Sequence, residues 1–280
     1  MSHDWGYTTE NGPEKWHEKF PLANGVRQSP VNIITSQTKQ STDLQVNPLR
    51  WTYVPENVKC LINPGYCWRV DVNAKGSELT GGPLNNDKYV IEQFHCHWGC
   101  SDGRGSEHTV DGQSFSAELH IVHWNSTKYN SFQEAAGHPD GLAVLGVFLK
   151  VGSPHEELDQ IAQLMPYIGH KGDRITLKSV DIAKFLPENK AYWTYEGSLT
   201  TPPFNESVTW ILFKEPMFVS SEQINLFREL RRYDVNDECP CNEQNWLVYD
   251  SVEEDPGKIV NNFRPPLELG NRELREVGEH

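Results

Sequence analysis

The sequence predicts a mainly β protein of the α+β class. It would be a single domain over residues 1–280, built on a large, twisted, mostly antiparallel central β-sheet with short peripheral helices. Two observations predict it. Segments rich in β-branched and aromatic residues recur between clusters of Gly, Pro and Asn, and long helical stretches do not separate them. In addition, no repeat, low-complexity tract or Gly/Ser linker marks an internal boundary, and 280 residues can bury a substantial core as one unit.

In chain order the strand candidates are "WRVDVN" (68–73), "YVIEQFHCHW" (89–98), "FSAELHIVHW" (115–124), "LAVLGVFLKVG" (142–152), "WTYEGSL" (193–199) and "VTWILFKEPMFV" (208–219). Two helices carry start signals. Ser153 precedes Pro154 and stands three before Glu156, a capping box followed by Leu158, Ile161, Leu164 and Met165 at helical spacing. Ser220 and Gln223 form a similar box ahead of Ile224, Phe227 and Leu230. A βα barrel or a Rossmann fold would need a helix after most strands, and the pattern supplies too few.

The charge balance narrows the partners. Twenty-five basic residues against thirty-nine acidic ones give a net charge of −14, which repels nucleic acid and anionic membrane surfaces. No apolar run reaches the roughly 18 residues of a membrane span, and the N-terminus lacks a basic stretch followed by an apolar one. A soluble, cytoplasmic protein is expected. In that compartment the six cysteines are expected to be free thiols, and the acceptor patterns at Asn125 and Asn205 carry no glycan.

The chemistry begins at "QFHCHWG". On a strand, the period of two places His95 and His97 on one face and Cys96 on the other, so the cysteine cannot join the histidines. In "AELHIVHW" the same alternation aligns Glu118, His120 and Val122, with Ile121 and His123 opposite. Two such strands facing one cavity present three imidazoles. Three neutral histidines leave one tetrahedral zinc position open, the arrangement of a catalytic rather than a structural site.

A lone His-x-His in a strand also arises by chance, as core or surface polarity. The second histidine-bearing strand argues against chance here, and so do Glu118 and Gln93. Each stands two residues before a candidate ligand, the spacing at which a carboxylate or amide can accept the second N–H of an imidazole.

These segments, with "GSEHTVDG", "LAVLGVFLKVG", "YEGSLTTPP", "VTWILFKEP", "WGYTTENGPEKW" and "RQSPVNI", resemble the α-carbonic anhydrases in order from about His3 to Leu267. "NPGYCWRVDV" and "NNFRPPLELG" are similar to the cytosolic insect members. The resemblance implies the α-carbonic anhydrase fold and the reversible hydration of CO₂ to bicarbonate and a proton by zinc-bound hydroxide. It further implies one Zn²⁺ per chain on His95, His97 and His120, with Gln93, Glu118 and the backbone carbonyl of Asn262 as their partners. Thr200 would accept from the hydroxide and donate to Glu107, which orients a lone pair toward substrate.

The same resemblance assigns Val122, Val144, Leu199, Thr200, Thr201, Val208 and Trp210 to the substrate pocket. From composition alone the apolar members read as ordinary core, Thr200 as a solvated loop residue and Glu107 as a surface acid. CO₂, water and bicarbonate are the implied small-molecule partners, sulfonamides and anions the implied inhibitors, and a monomer is expected.

Two departures stand out. Tyr66 occupies the place where the fastest relatives carry a histidine proton shuttle, with Pro64 and Arg69 also replacing neutral polar residues. A phenol with a pKa near 10 is a poor proton carrier at neutral pH. Turnover is therefore expected to be limited by proton transfer, with His3 either an alternative shuttle or a flexible surface histidine. The second departure is an acidic insertion at about 234–258, whose Cys239 and Cys241 read as loop thiols for want of a tetrahedral ligand set.

His108 and His123 read as structural. Two other functions stay open on the sequence: a catalytically silent carbonic-anhydrase-related binding module, which typically lacks a zinc histidine, and an amidohydrolase, which needs a βα barrel.

Overall fold

The computed structural model describes residues 5–240, 248–249, 252–253 and 255–278. Among them, a sheet of thirteen strands dominates, and its main path runs from Arg174–Thr176 through Val58–Ile62, Arg69–Val72, Tyr89–Trp98, Ala117–Asn125 and Leu142–Val151. It continues through Val208–Phe213, Tyr192–Gly197 and Arg275–Val277 to Lys39–Gln40. Most neighbours are antiparallel. Leu142–Val151 pairs in parallel with Val208–Phe213 and with Met217–Val219, so one expected strand is two, and Pro216, which has no N–H to give a ladder, lies in the break.

Alternation along the strands builds a core on each face. Phe94, Cys96, Leu119, Ile121, Leu145 and Phe213 belong to the larger apolar cluster, which includes Leu158, Ile161 and Phe227 of the two helices. Burying such side chains contributes about 1.5–3 kcal/mol each. The opposite face puts Val122, Val144, Val208, Trp210 and Leu212 into a second cluster. The histidines lie on this second face.

The helix Ser221–Arg228 starts as its sequence indicates, with a reciprocal capping box between Ser220 and Gln223. The other helix corrects its expected cap. It spans Glu156–Ala162, and His155, not Ser153, accepts from Leu158 N–H at 3.2 Å. Nor does it continue through Met165, because Pro166 disfavours helical geometry before it and opens a 3₁₀ turn over Met165–Ile168. Gln223 ties the two helix starts together, donating to the His155 carbonyl and accepting its N–H.

Cys60, Cys67, Cys96, Cys100 and Cys239 form no disulfide bond. Cys241, His3 and much of the acidic insertion lie outside the described residues. No helix among those described is long and apolar enough to cross a membrane.

Candidate metal centre

Register delivers the three histidines. Tyr89–Trp98 and Ala117–Asn125 run antiparallel with His95 directly opposite His120 and His97 opposite Glu118. Opposed residues share a face, so strand pairing alone brings the imidazoles of residues 95, 97 and 120 together. Their facing nitrogens lie within 4.8 Å of one another, the spread of a metal-ligand set. The ring centroids are 4.7 to 5.3 Å apart.

Each ring is fixed through its other nitrogen. His95 Nδ1 is 2.8 Å from Gln93 Oε1, His97 Nδ1 is 2.7 Å from the carbonyl of Asn262, and His120 Nε2 is 2.7 Å from Glu118 Oε1. These acceptors hold the N–H tautomer that leaves Nε2, Nε2 and Nδ1, respectively, as free donors toward one point. Asn262 does more than accept from His97. Its side chain takes the N–H of Trp98 and gives an N–H to the carbonyl of Tyr66, both at 2.8 Å.

Electrostatics agree with neutral rings. Burial, reinforced by the neighbouring histidines, pushes His95 well below its ordinary value, and burial also pushes His97 down. Glu118 goes the other way. Against the upward push of burial, the charges and hydrogen bonds of His108 and His120 hold its carboxyl well below the usual range.

His97 Nε2 is buried with no hydrogen-bond partner in the protein, a costly state for a polar atom unless something else engages it. Three neutral nitrogen donors suit zinc in number and softness, and the residues fit that ion.

The residues expected to line the substrate pocket also gather here. Val122, Val144, Val208 and Trp210 pack as one apolar cluster with Leu199 against it, and Trp210 lies 4.8 Å from the His120 ring. An open cleft of about 700 Å³ borders Gln93 and is lined by Arg69, Asp71, Glu92, Trp124 and Phe132 among others.

A model of the eukaryotic-type carbonic anhydrase family matches residues 11–278. Carbonic anhydrase 7 of Homo sapiens is 42% identical over 275 residues, covering 98% of this chain and 97% of that protein. The chain belongs to the eukaryotic-type carbonic anhydrase family.

Within this carbonic anhydrase one expected contact is absent. The hydrogen bond from Thr200 to Glu107 is not formed: Glu107 Oε2 accepts the backbone N–H of Arg264 at 2.7 Å, and Oε1 has no hydrogen-bond partner. Oε1 is turned toward the histidines instead, 3.2 Å from His97 Nε2 and 3.9 Å from His120 Nδ1. Thr200 is buried beside the cluster and Thr201 is partly exposed.

Tyr66 lies with its ring centroid 4.8 Å from that of Trp5, and burial pushes its phenol up to about 12. That makes it a poorer proton carrier than its sequence context indicates.

His123 is the expected core histidine, bonded to Tyr53 Oη at 2.8 Å and the Ile121 carbonyl at 3.0 Å. His108 touches the centre through Glu118. Sequence reading missed Arg264, whose guanidinium is spent on Gln28 Oε1 and the carbonyls of Ser29 and Ala23 while its N–H fixes Glu107. It missed the Arg69–Asp71 pair at 2.8 Å as well, although Arg69 directly opposes His95 across the sheet. "NNFRPP" contains Arg264 and "RQSPVNI" its partners Gln28 and Ser29, but only folding brings them together.

Proposed function

We propose that this chain catalyses the reversible hydration of CO₂ to bicarbonate and a proton, with one zinc ion held by His95, His97 and His120. The observation that carries the reading is the convergence of three imidazole nitrogens, each ring locked by a separate acceptor on its far side. Zinc, when bound by three neutral ligands, keeps its full charge and supplies a hydroxide nucleophile near neutral pH.

The remaining work falls to the chain. CO₂ carries no net charge, and the wall of Val122, Val144, Leu199, Val208 and Trp210 offers it an apolar surface beside His120. Glu107 Oε1 is the carboxylate oxygen still open to accept the proton of Thr200. With its single proton given to Glu107, the threonine oxygen can only accept, so it orients the nucleophile, and Thr201 completes that rim.

Tyr66 holds its own proton throughout the neutral range, so solution buffers carry the product proton away. A monomeric, cytoplasmic enzyme inhibited by sulfonamides and small anions is the corresponding finer reading. A catalytically silent module has no observation in its favour, since all three histidines are present and converge.

Stopped-flow CO₂ hydration before and after chelation, then after zinc is restored, tests the proposal. Hydration should vanish with the metal and return with zinc. Zinc bound without hydration would defeat it.

A further inference from the structure

His155 joins three elements that are distant along the chain. Its ring starts the helix Glu156–Ala162, with Nδ1 accepting the N–H of Leu158 at 3.2 Å. The opposite ring nitrogen, Nε2, lies 3.1 Å from the carbonyl of Lys184 in the 3₁₀ turn Ile182–Phe185, and the ring meets that of Phe185 at 5.8 Å between centroids. From the helix Ser221–Arg228, Gln223 holds the backbone of the same residue, accepting its N–H at 3.0 Å and donating to its carbonyl at 2.9 Å. The remaining lone pair and proton of that amide go to the N–H of Ser220 and to Asp159 Oδ1, so all four of its hydrogen-bonding positions are used.

Those partners allow the ring one protonation state. The Leu158 N–H can only donate and the Lys184 carbonyl can only accept, so Nδ1 is a bare lone pair and Nε2 carries the proton. A second proton, on Nδ1, would set N–H against N–H and leave the amide of the buried Leu158 without its acceptor. It would also place a cation at the start of a helix, where the macrodipole opposes it. The usual caps, Ser, Thr, Asp and Asn, do not titrate near neutral pH, whereas imidazole does.

The surroundings act in the same direction. Burial pushes His155 below its ordinary value, against the Lys184 carbonyl and the Glu157 carboxylate, which raise it. The charged groups facing the ring are Glu156 and Glu157 from its own helix and Lys184 from the 3₁₀ turn, whose ammonium is 3.4 Å from Glu157 Oε2. Asp159 is taken by the amides of Gln223 and Gln163, and the second helix meets His155 with the neutral Gln223. The folded chain therefore favours the neutral ring. The cap is complete above the unfolded value of about 6.5 and is lost as pH falls through the lower folded value.

We propose that His155 is an acid-sensitive latch: its neutral ring caps the helix Glu156–Ala162 and ties it to the 3₁₀ turn, and its protonation frees that helix start while Gln223 keeps the backbone joint. The latch stands behind the strand Tyr89–Trp98, because Phe227 of the second helix packs on Trp98 at 5.4 Å between ring centroids.

Nitrogen-15 NMR of the zinc-loaded protein tests the latch in two readings. At pH 7.5 the His155 ring should show a protonated Nε2 and a bare Nδ1; the opposite tautomer overturns the proposal. As pH is lowered through the titration of that ring, the exchange protection of the Leu158 amide, corrected for its intrinsic rate, should fall about fivefold, the scale of one lost cap. Protection that stays flat through the titration overturns the proposal as well.

H155N, whose side-chain oxygen caps without titrating, should keep the protection of Leu158 within about twofold over the same range, and H155A should sit at the low-pH wild-type level at every pH. An H155N protein with the same acid loss as wild type would assign the effect to Glu157 or another carboxylate, and the latch would fall.

Discussion

His95 and His120 stand directly opposite each other on adjacent antiparallel strands, their ring centroids 5.3 Å apart and their planes at 89°. Perpendicular rings on one pleated face aim their nitrogens at a shared point instead of stacking. The consequence is a site whose geometry is set by sheet register, not by loops.

His120→Ala should therefore lose the metal while the fold persists. Zinc content measured by atomic absorption should drop from one per chain to near zero, with CO₂ hydration lost in parallel. Glu118→Gln leaves the three ligands in place but removes the charged acceptor, and zinc affinity should fall by about 10–100-fold. Retention of tight zinc by His120→Ala contradicts the assigned ligand set, and its retention by Glu118→Gln contradicts the role given to that carboxylate.

Tyr66 bears on turnover. With its phenol pushed up to about 12, it is protonated across the neutral range and cannot cycle. The maximal rate of CO₂ hydration at pH 7 should rise with added imidazole buffer in the wild type. Tyr66→His should raise the rate at low buffer several-fold and flatten that dependence. A wild-type rate indifferent to buffer at saturating CO₂ would show that proton transfer does not limit.

Thr200→Ala should keep its zinc and lose orientation of the nucleophile. A fall in kcat/KM for CO₂ of roughly 10²-fold is expected, the scale of lost alignment. Unchanged kinetics would mean that Thr200 and Glu107 never pair during turnover.

His123 gives the protein a pH-dependent stability. Burial pushes this ring down to about 4, below its value of about 6.5 in the unfolded chain. The folded state thus favours the neutral ring. Its contribution is complete above pH ~6.5 and is lost as pH falls toward about 4, because the unfolded chain takes up the proton first; the scale is on the order of 3 kcal/mol. Urea unfolding at pH 7.5 and pH 4.5 should show a smaller difference in His123→Gln than in wild type. Identical pH profiles would assign the acid sensitivity to other groups.

Ser220→Ala tests local structure. The variant loses one half of the box that starts the helix Ser221–Arg228, at a cost of about 1 kcal/mol in urea unfolding. Wild-type stability would place the anchor in Gln223 and its bonds to His155.

Much of this was legible in the chain because strand alternation is a local property. The period of two separated His95 and His97 from Cys96, and His120 from His123, and the folded protein keeps both divisions. The misread helix start shows the limit of the same logic. Ser153 and Glu156 have the right spacing, but His155, pinned by Gln223 from a distant helix, took the cap.

The Thr200 and Glu107 pair shows it again. Which acceptor a buried carboxylate faces depends on groups far apart in sequence, here the N–H of Arg264 and the imidazoles of residues 97 and 120.

By itself the sequence determined the strand faces, the three imidazoles and their near neighbours Gln93 and Glu118, since these follow from backbone periodicity over a few residues. Only the tertiary structure decided that the Asn262 carbonyl closes on His97, that burial lifts Tyr66 to about 12, and that Gln223 pins His155 from a distant helix. Those contacts join segments up to about 165 positions apart. Hydrogen bonding and desolvation act through space, and no local pattern encodes the distance between groups that only the folded sheet brings together.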